Sequence, residues 1–342
     1  MKKILVIFGG KSGEHEVSRR SAETVLMNID TEKFDVIKIG ITKDGEWFKT
    51  NASPADIASG KWEQLEKTHA VLSPDRKTHG IIVDGKEEYI DAIIPVMHGD
   101  YCEDGCIQGL FEMSGVPYVG PGVLASSVGM DKSATKLFAD AAGVPQAEWV
   151  LVEGELTKEK KEEIENKFSY PIFVKPCNAG SSLGAFKVHD KGELDTAVAE
   201  AAKVDYKVLC EEYVNGYEVE CAVLGNGDAV ASCAGMITPS NEFYDYKAKY
   251  IDNKSGLIIP APLPEETTEK IREYAVKIFK ALGCKGLSRV DFFVHKESGK
   301  IYFNEINTLP GFTSISMYPK LWEACGVPIK ELITKLVDYA EK

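Results

Sequence analysis

The sequence predicts an α/β fold with α+β elements, divided into two or three units, and three observations point to it. Strand-like and helix-like patterns alternate over roughly the first 120 residues, which suggests an α/β layer with a largely parallel sheet. The chain has 342 residues, long for one hydrophobic core and natural for several. Near its end two β-rich runs, Ser288 to Val294 and Ile301 to Asn307, flank a polar, Gly-containing turn and predict a β-hairpin.

The first unit opens with an apolar strand, Lys3 to Phe8. Its apolar stretch is short and runs into Gly-Gly-Lys without a small-residue cleavage site, so it reads as a buried strand rather than a secretory leader. A helix from about Glu16 to Asn28 follows, then strands from Phe34 to Ile41 and Ala92 to Met97. Asp44 to Glu87 is irregular and polar, which predicts a peripheral insertion of short hairpins. A second unit opens at the Pro121-Gly122 turn, with a helix from Asp131 to Ala142 and strands near Trp149 to Val152, Ile172 to Lys175 and Val208 to Glu212. The charged run Lys158 to Lys167 is a solvated helix face. The third unit carries a strand from Val219 to Leu224, a Tyr-rich loop from Glu242 to Asn253, a helix from Glu265 to Leu282, the hairpin, and a closing helix from Ile329 to Glu341. Internal repeats and low-complexity segments are absent.

A hydrophobic content of 44% with 27% charged residues is that of a soluble globular protein, and no apolar run reaches the length that spans a bilayer. The net charge of -13 argues against broad binding to nucleic acid or anionic membranes. Eight cysteines are scattered without a CxxC pair, and Cys102 and Cys106 lack a second pair. A zinc site is thereby disfavoured, and a reduced, cytoplasmic protein is expected.

With the hairpin turn centred near Ser298, Asp291 lies opposite Glu305 and Arg289 opposite Asn307, and all four side chains point the same way. Two acids held so close repel each other, and a hard divalent cation bound through oxygen and bridged to phosphates is the usual reason to tolerate this; Mg²⁺ suits such a site. A solvated face with incidental charges is the alternative. Upstream, Phe173 to Gly184 places Lys175 at a strand end before a loop of small residues, the composition of a phosphate cradle but not a Walker A loop; an ordinary Gly/Ser turn has the same composition. Lys132 starts a helix, where anions are favoured. Glu211 and Glu212 end a β-rich run, where a carboxylate can bond an adenine amine or ribose hydroxyl, although Glu at a strand end is more often only solvated. The loops Gly9 to Ser18, with Glu14 able to fix an ammonium, and His98 to Gly105 lie where open α/β sheets bind ligands; His98 is as readily structural as functional. Glu242 to Tyr250 has the composition of a lid that excludes water. Leu309 to Ser316 offers backbone N–H groups near Gly311 which, with Arg289, can stabilise an oxyanion.

In their order along the chain, GGKSGEHEVS, HGDYCEDG, MDK, VKPCNAGSSLG, EFYDYKAKY, SRVDFF and NEINTLPGFTS closely resemble the D-alanine–D-alanine ligases of the ATP-grasp superfamily, over essentially the whole chain. The resemblance implies a three-domain ATP-grasp architecture: an N-terminal α/β domain (1–121) and two domains clasping ATP (122–211 and 212–342). It implies that Lys132 and Lys175 hold ATP phosphates, that Glu211 and Glu218 hold the adenine and ribose regions, and that Tyr213 and Val214 line the base pocket. Lys249 would reach the γ-phosphate from the lid. Asp291, Glu305 and Asn307 would ligate two Mg²⁺ ions, with Mn²⁺ as a substitute and a monovalent cation as a further option. Glu14 would bind the ammonium of the first D-alanine within a hydrogen-bonded group with Ser181 and Tyr250, His98 would sit beside that substrate, and Ser316 would hold the carboxylate of the second. The expected partners are D-alanine, ATP and a second copy of the chain in a homodimer.

The family pattern HGxxGEDG has Gly where this chain has Cys102, and a β-carbon there restricts the backbone of the loop that carries His98. The same scaffold also serves D-alanine–D-lactate and D-alanine–D-serine ligases. The lactate enzymes lack the Lys249-Tyr250 pair, and the serine enzymes typically carry Phe at the position of Tyr244 and Arg at that of Met317. An apolar Met317 offers a serine hydroxyl no partner, so D-alanine is expected in both positions. From another class, a nucleotide-binding regulatory protein without turnover is the alternative.

Overall fold

The computed structural model describes residues 1–180, 183–238 and 256–342. The first strand, β1 (Lys2–Gly9), is buried from Ile4 onward because it is paired on both edges and its two faces enter separate apolar cores. It pairs in parallel with β2 (Phe34–Ile41) and β7 (Ala92–Val96), and α1 (His15–Asn28) makes the crossover. The 44–87 region does form short hairpins at one edge, but they are regular strands of the main sheet rather than an irregular insertion beside it. It supplies β3 (Trp47–Thr50), β4 (Lys67–Leu72), β5 (Gly80–Val83) and β6 (Lys86–Tyr89), which extend the sheet antiparallel in the order β6-β5-β4-β3-β2-β1-β7. The sheet is therefore mixed. Short polar strands joined by tight turns can only pair antiparallel, since parallel pairing needs a long crossover.

Three helices lead out of this sheet: α3 (Cys106–Ser114), α4 (Val123–Met130) and α5 (Lys132–Ala141), with α2 (Pro54–Ser59) lying earlier beside α1. Asp131 separates α4 from α5 and caps the latter, its Oδ1 accepting the N–H groups of Ser133 and Ala134 at 3.0 and 3.2 Å. A second sheet has the order β10-β9-β11-β8, from β8 (Trp149–Glu153), β9 (Ile172–Pro176), β10 (Phe186–Val188) and β11 (Lys207–Glu212). It is backed by α6 (Lys158–Lys167), with Thr157 as N-cap, and α7 (Leu194–Ala201).

The third sheet is antiparallel throughout, with the order β14-β13-β12-β15-β16: β12 (Gly216–Gly225), β13 (Val230–Thr238), β14 (Gly256–Ile258), β15 (Gly286–His295) and β16 (Ile301–Asn307). One face packs on α8 (Glu265–Ala281) through Val219, Val290, Phe292 and Phe279. The chain ends in α9 (Met317–Ala324) and α10 (Ile329–Ala340), which return to the first sheet. Leu321, Trp322, Leu332 and Leu336 share one apolar core with Ile4, Val6, Phe8 and Val96. This burial, worth about 1.5–3 kcal/mol for each such side chain, holds α10 against β7 and α9 on β12 and β13.

The hairpin register holds a detail that alternation alone does not reveal. Val294 pairs with Ile301, Phe293 with Tyr302 and Phe292 with Phe303, but the next pair is Asp291 with Glu305, leaving Asn304 as an extra residue on β16. With that bulge, Asp291 opposes Glu305 and Arg289 opposes Asn307. Without it, this same turn would set Asn304 against Asp291 and send Glu305 to the core face. The outer edge of β16 is held where it bulges: Phe303 N–H donates to Pro145 O at 2.7 Å.

Candidate active site

On the face of the third sheet turned away from α8, alternation along β15 places Arg289 and Asp291 together, and Glu220 of β12 is the direct register partner of Asp291. Arg289 Nε lies 2.8 Å from Asp291 Oδ1 and Nη2 lies 2.7 Å from Oδ2, while Asn307 Nδ2 donates to Oδ2 at 3.0 Å. Glu220 Oε2 stands 2.9 Å from Arg289 Nε on the other side. Burial alone would ease the proton off Arg289, but the charges of Asp291 and Glu220 outweigh it and hold the guanidinium cationic.

Among the described residues no group of three or more Asp, Glu, His or Cys side chains forms a metal cage. Two carboxylates and an amide, Asp291, Glu305 and Asn307, nevertheless fit a Mg²⁺ ion that keeps water and phosphate oxygens among its ligands. Glu305 is the more accessible acid, its side chain 28% exposed.

Two lysines approach the same end of the hairpin. Lys132, at the first turn of α5, donates to Ala179 O at 2.7 Å and lies 3.7 Å from Glu305 Oε2. Lys175, at the end of β9, bonds Glu211 Oε2 at 2.5 Å and lies 3.5 Å from Asn304 Oδ1. Glu211 is not a solvated strand end. Its second oxygen meets Lys136 Nζ at 2.5 Å, and both partners are buried. Burial pushes the Glu211 carboxyl up, but Lys136 and Lys175 overcome it and bring it down to about 2. Lys136, one helical turn beyond Lys132 on α5, is missed by motif reading, although its i,i+4 spacing is a usable signal. Tyr213 stacks on Phe173 with ring centroids 6.1 Å apart, and Lys187 Nζ sits 4.4 Å from its centroid. Val214 and Glu218 follow at half-buried positions along the same edge.

Opposite the hairpin, the loops of the first sheet are tied together by His98. Its Nδ1 is 3.0 Å from Leu309 O and must carry the proton there, so Nε2, 3.1 Å from Ser21 Oγ, accepts from the hydroxyl. Ser21 Oγ accepts in turn from Phe312 N–H, and Ser12 Oγ donates to His98 O. Burial pushes His98 below its usual range, in keeping with this neutral tautomer. Cys102 does not disturb the loop: the left-handed positions belong to Gly99, Tyr101 and Gly105, and the Cys102 side chain is buried on the other face of the first sheet, in an apolar core with Leu5, Ile7, Met97 and Ile107. Next to it Glu103 accepts Gly99 N–H at 2.9 Å, and burial, reinforced by Glu14, raises its carboxyl to about 8.

The Leu309–Ser316 loop closes the cleft. A β-carbon on Gly311 would meet Ser316 Oγ at 2.8 Å, so only glycine lets the hydroxyl fold over the backbone there. Ser316 Oγ also accepts Thr313 N–H at 3.0 Å. Met317 starts α9 and is buried; a β-carbon on Gly235 of β13 would come within 2.8 Å of its Sδ.

One cleft is lined by Glu14, His98, Lys132, Arg289, Glu305, Asn307, Gly311, Ser316 and Met317, together with Glu103, an unassigned member of the HGDYCEDG segment, and Glu220, which lies outside every motif. The signal for Glu220 is its spacing of two from Glu218 on one strand face. Asp291 lies beneath Arg289, at 1% exposure. Lys175, Glu211, Tyr213, Val214 and Glu218 lie outside this lining, in the second sheet and at the start of the third. Ser181, Lys249 and Tyr250, and with them the Tyr-rich loop, lie outside the described residues.

The family models described as "D-ala D-ala ligase N-terminus" and "D-ala D-ala ligase C-terminus" match residues 3–121 and 138–338. A D-alanine--D-alanine ligase of Acetivibrio thermocellus is 56% identical, covering 99% of this chain and 96% of its own. One from Clostridium acetobutylicum is 50% identical over 99% and 98%. Among solved structures, the VanG D-Ala:D-Ser ligase from Enterococcus faecalis matches with a TM-score of 0.93 and 41% identity over 99% of both chains. The D-alanine-D-alanine ligase from Coxiella burnetii matches with a TM-score of 0.88 and 32% identity, over 99% and 94%.

Proposed function

The chain belongs to the D-alanine–D-alanine ligase family, and from that premise we propose that it joins two D-alanine molecules into D-alanyl-D-alanine with conversion of ATP to ADP and phosphate, supplying peptidoglycan precursor synthesis. Its fold is the mixed α/β ATP-grasp fold of that family. The division into 1–121, 122–211 and 212–342 is part of the proposal and is supported by the three sheets, which fall one to each segment but for Glu212, the last residue of β11.

The observation that carries this reading is the single cleft in which Arg289, Glu305 and Asn307 face Glu14, His98, Gly311 and Ser316. In it, Lys132 and Lys175 hold the ATP phosphates, and Glu211, Tyr213, Val214 and Glu218 serve the nucleoside, with Lys249 reaching the γ-phosphate. Asp291, Glu305 and Asn307 hold two Mg²⁺ ions, or Mn²⁺ in their place, whose charge offsets that of the phosphates when bound. Glu14, with Ser181 and Tyr250, orients the first D-alanine by its ammonium.

The carboxylate oxygen of the first D-alanine forms a bond to the γ-phosphorus as the bond to ADP breaks. The amine of the second D-alanine then attacks the acyl carbon, and phosphate leaves with the carboxylate oxygen it received. Arg289 and the Gly311 N–H stabilise the tetrahedral oxyanion, while Ser316 holds the carboxylate of the second D-alanine. D-alanine labelled with ¹⁸O in its carboxylate tests the sequence. Label recovered in inorganic phosphate supports it, and phosphate free of label rules it out.

The likeness to a D-Ala:D-Ser ligase keeps D-serine as the competing second substrate. Met317 weighs against it, because a thioether packed on Gly235 and Leu321 gives a serine hydroxyl no hydrogen-bond partner. A homodimer and a cytoplasmic setting complete the proposal; the eight unpaired cysteines suit a reducing compartment, and no helix among the described residues is long and apolar enough to cross a membrane.

A further inference from the structure

Arg289 is held between two buried carboxylates, and only one of them, Asp291, has a place in the reaction as proposed. Glu220 is 3% exposed and sits directly across from Asp291 in the β12–β15 register, so both acids flank one guanidinium on the same sheet face. The two contacts differ in kind. Arg289 Nε is 2.8 Å from Asp291 Oδ1 and 2.9 Å from Glu220 Oε2; its single hydrogen points at Asp291, so Glu220 holds the guanidinium by charge.

Both oxygens of Asp291 are engaged by Arg289. A divalent ion and the guanidinium therefore seek the same two oxygens. With Asp291 as its sole anion, Arg289 would either block the ion or be displaced by it. A second carboxylate on the far side removes the conflict, because the guanidinium keeps an anchor while Asp291 turns an oxygen to the ion. Gly235, the register partner of Glu220 on β13, leaves the next position free of a side chain, and Met317 occupies that space.

We propose that Glu220 is a positioning residue that retains Arg289 over the cleft and so frees Asp291 to take the divalent ion. The inference rests on the ligase reading for the role of Arg289, and on the hairpin face for the ion.

The test is a double-mutant cycle read by electron paramagnetic resonance of Mn²⁺ bound with ADP, without any D-amino acid. In Glu220→Gln the guanidinium collapses onto Asp291, and Mn²⁺ affinity falls about tenfold, the size of one charge-assisted contact. In an Arg289→Ala background the same Glu220→Gln change alters affinity less than about twofold, because the competitor is gone. Steady-state turnover of Glu220→Gln should fall, with the Mg²⁺ concentration for half-maximal rate raised. Should Glu220→Gln fail to fold, Glu220→Asp, which withdraws the carboxylate by one methylene, must show the same dependence on Arg289. Equal loss of affinity in both backgrounds would mean that Glu220 acts on the ion directly and would overturn the proposal, as would wild-type affinity and turnover in Glu220→Gln. Failure of the ligase reading looks different: the wild-type chain would make no dipeptide whatever the Mn²⁺ cycle shows.

Discussion

Asp291 and Glu305 stand directly opposite each other across the β15–β16 hairpin, one residue past the bulge at Asn304. Arg289 neutralises the buried member of the pair, while Lys132 reaches the exposed one at 3.7 Å. The face is thus an acid pair with cations at both ends, suited to a phosphate-bridged ion and to the phosphates themselves.

Replacing Glu305 with Gln keeps the shape of that face and removes one charge. Ligase turnover should fall by about a hundredfold or more, because a charge-stabilising group is lost from the transition state. The melting temperature should hold or rise slightly, since repulsion with Asp291 is relieved. Steady-state kinetics and calorimetry on the same preparation check both halves; undiminished turnover would remove Glu305 from the ion site.

Lys136 and Lys175 act on Glu211 in different ways. Lys136 is 1% exposed, and Lys136→Met leaves a buried carboxylate with half its compensation, at a cost of about 3 kcal/mol in urea unfolding. Lys175→Met should cost less stability and more ATP affinity, since Lys175 lies at the edge of the proposed phosphate site. Equal stability losses, or no loss of ATP affinity, would contradict the division.

The Glu211 carboxyl also makes a prediction in acid. It is held down to about 2 in the fold, against an ordinary value of 4.5. A depressed acid stabilises the fold above its unfolded value and loses that contribution as pH falls through the folded one. Unfolding free energy should therefore drop by about 3 kcal/mol between pH 4.5 and 2 on account of this residue. In Glu211→Gln that part of the acid slope should be missing.

Glu103 has the opposite sign. Its carboxyl is raised to about 8, so the folded chain binds a proton that the unfolded chain has released, and stability declines as pH rises from about 4.5 through 8. Glu103→Gln retains an acceptor for Gly99 N–H and carries no charge. Its melting temperature should decline less than that of the wild type between pH 5 and 8.5. Parallel profiles would refute the assignment.

Much of this site is legible in the sequence, and what is not has physical causes. Alternation predicts which hairpin residues share a face, and the pairing is as expected, but the bulge at Asn304 that reconciles it with the observed turn is not legible; it sits where Pro145 and Gln146 dock on the edge of β16, a contact between residues far apart in the chain. The start of α9 escapes notice because Pro319 looks like a helix breaker, yet Pro is tolerated in a first turn whose N–H groups have no intrahelical partner. β13, Val-Ala-Ser-Cys-Ala-Gly-Met-Ile-Thr, is too rich in small residues to read as a strand; it is small because α9 and Met317 pack down on it. Glu220 and Lys136 carry only weak spacing signals, two from Glu218 on a strand and four from Lys132 on a helix, and the meaning of each buried charge emerges only when its partner, Arg289 or Glu211, is placed beside it.

Gly235 offers a probe of the second-substrate pocket. Gly235→Ala brings a methyl within 2.8 Å of Met317 Sδ and 3.0 Å of Leu321 Cδ2, both ends of flexible side chains. Stability should fall by only about 1 kcal/mol. The displaced Met317 should raise the KM for the second D-alanine while leaving the KM for ATP in place; an effect on ATP instead would detach Met317 from the amino-acid site.

The central claim, two D-alanines joined through the cleft of Arg289, Glu305 and Ser316, is tested most directly by phosphate release and product analysis at neutral pH with D-alanine alone, then with D-serine or D-lactate added. We predict rapid phosphate release and D-alanyl-D-alanine from D-alanine alone, little changed by either competitor. Preferential formation of a mixed product, or no phosphate release with D-alanine, would contradict it.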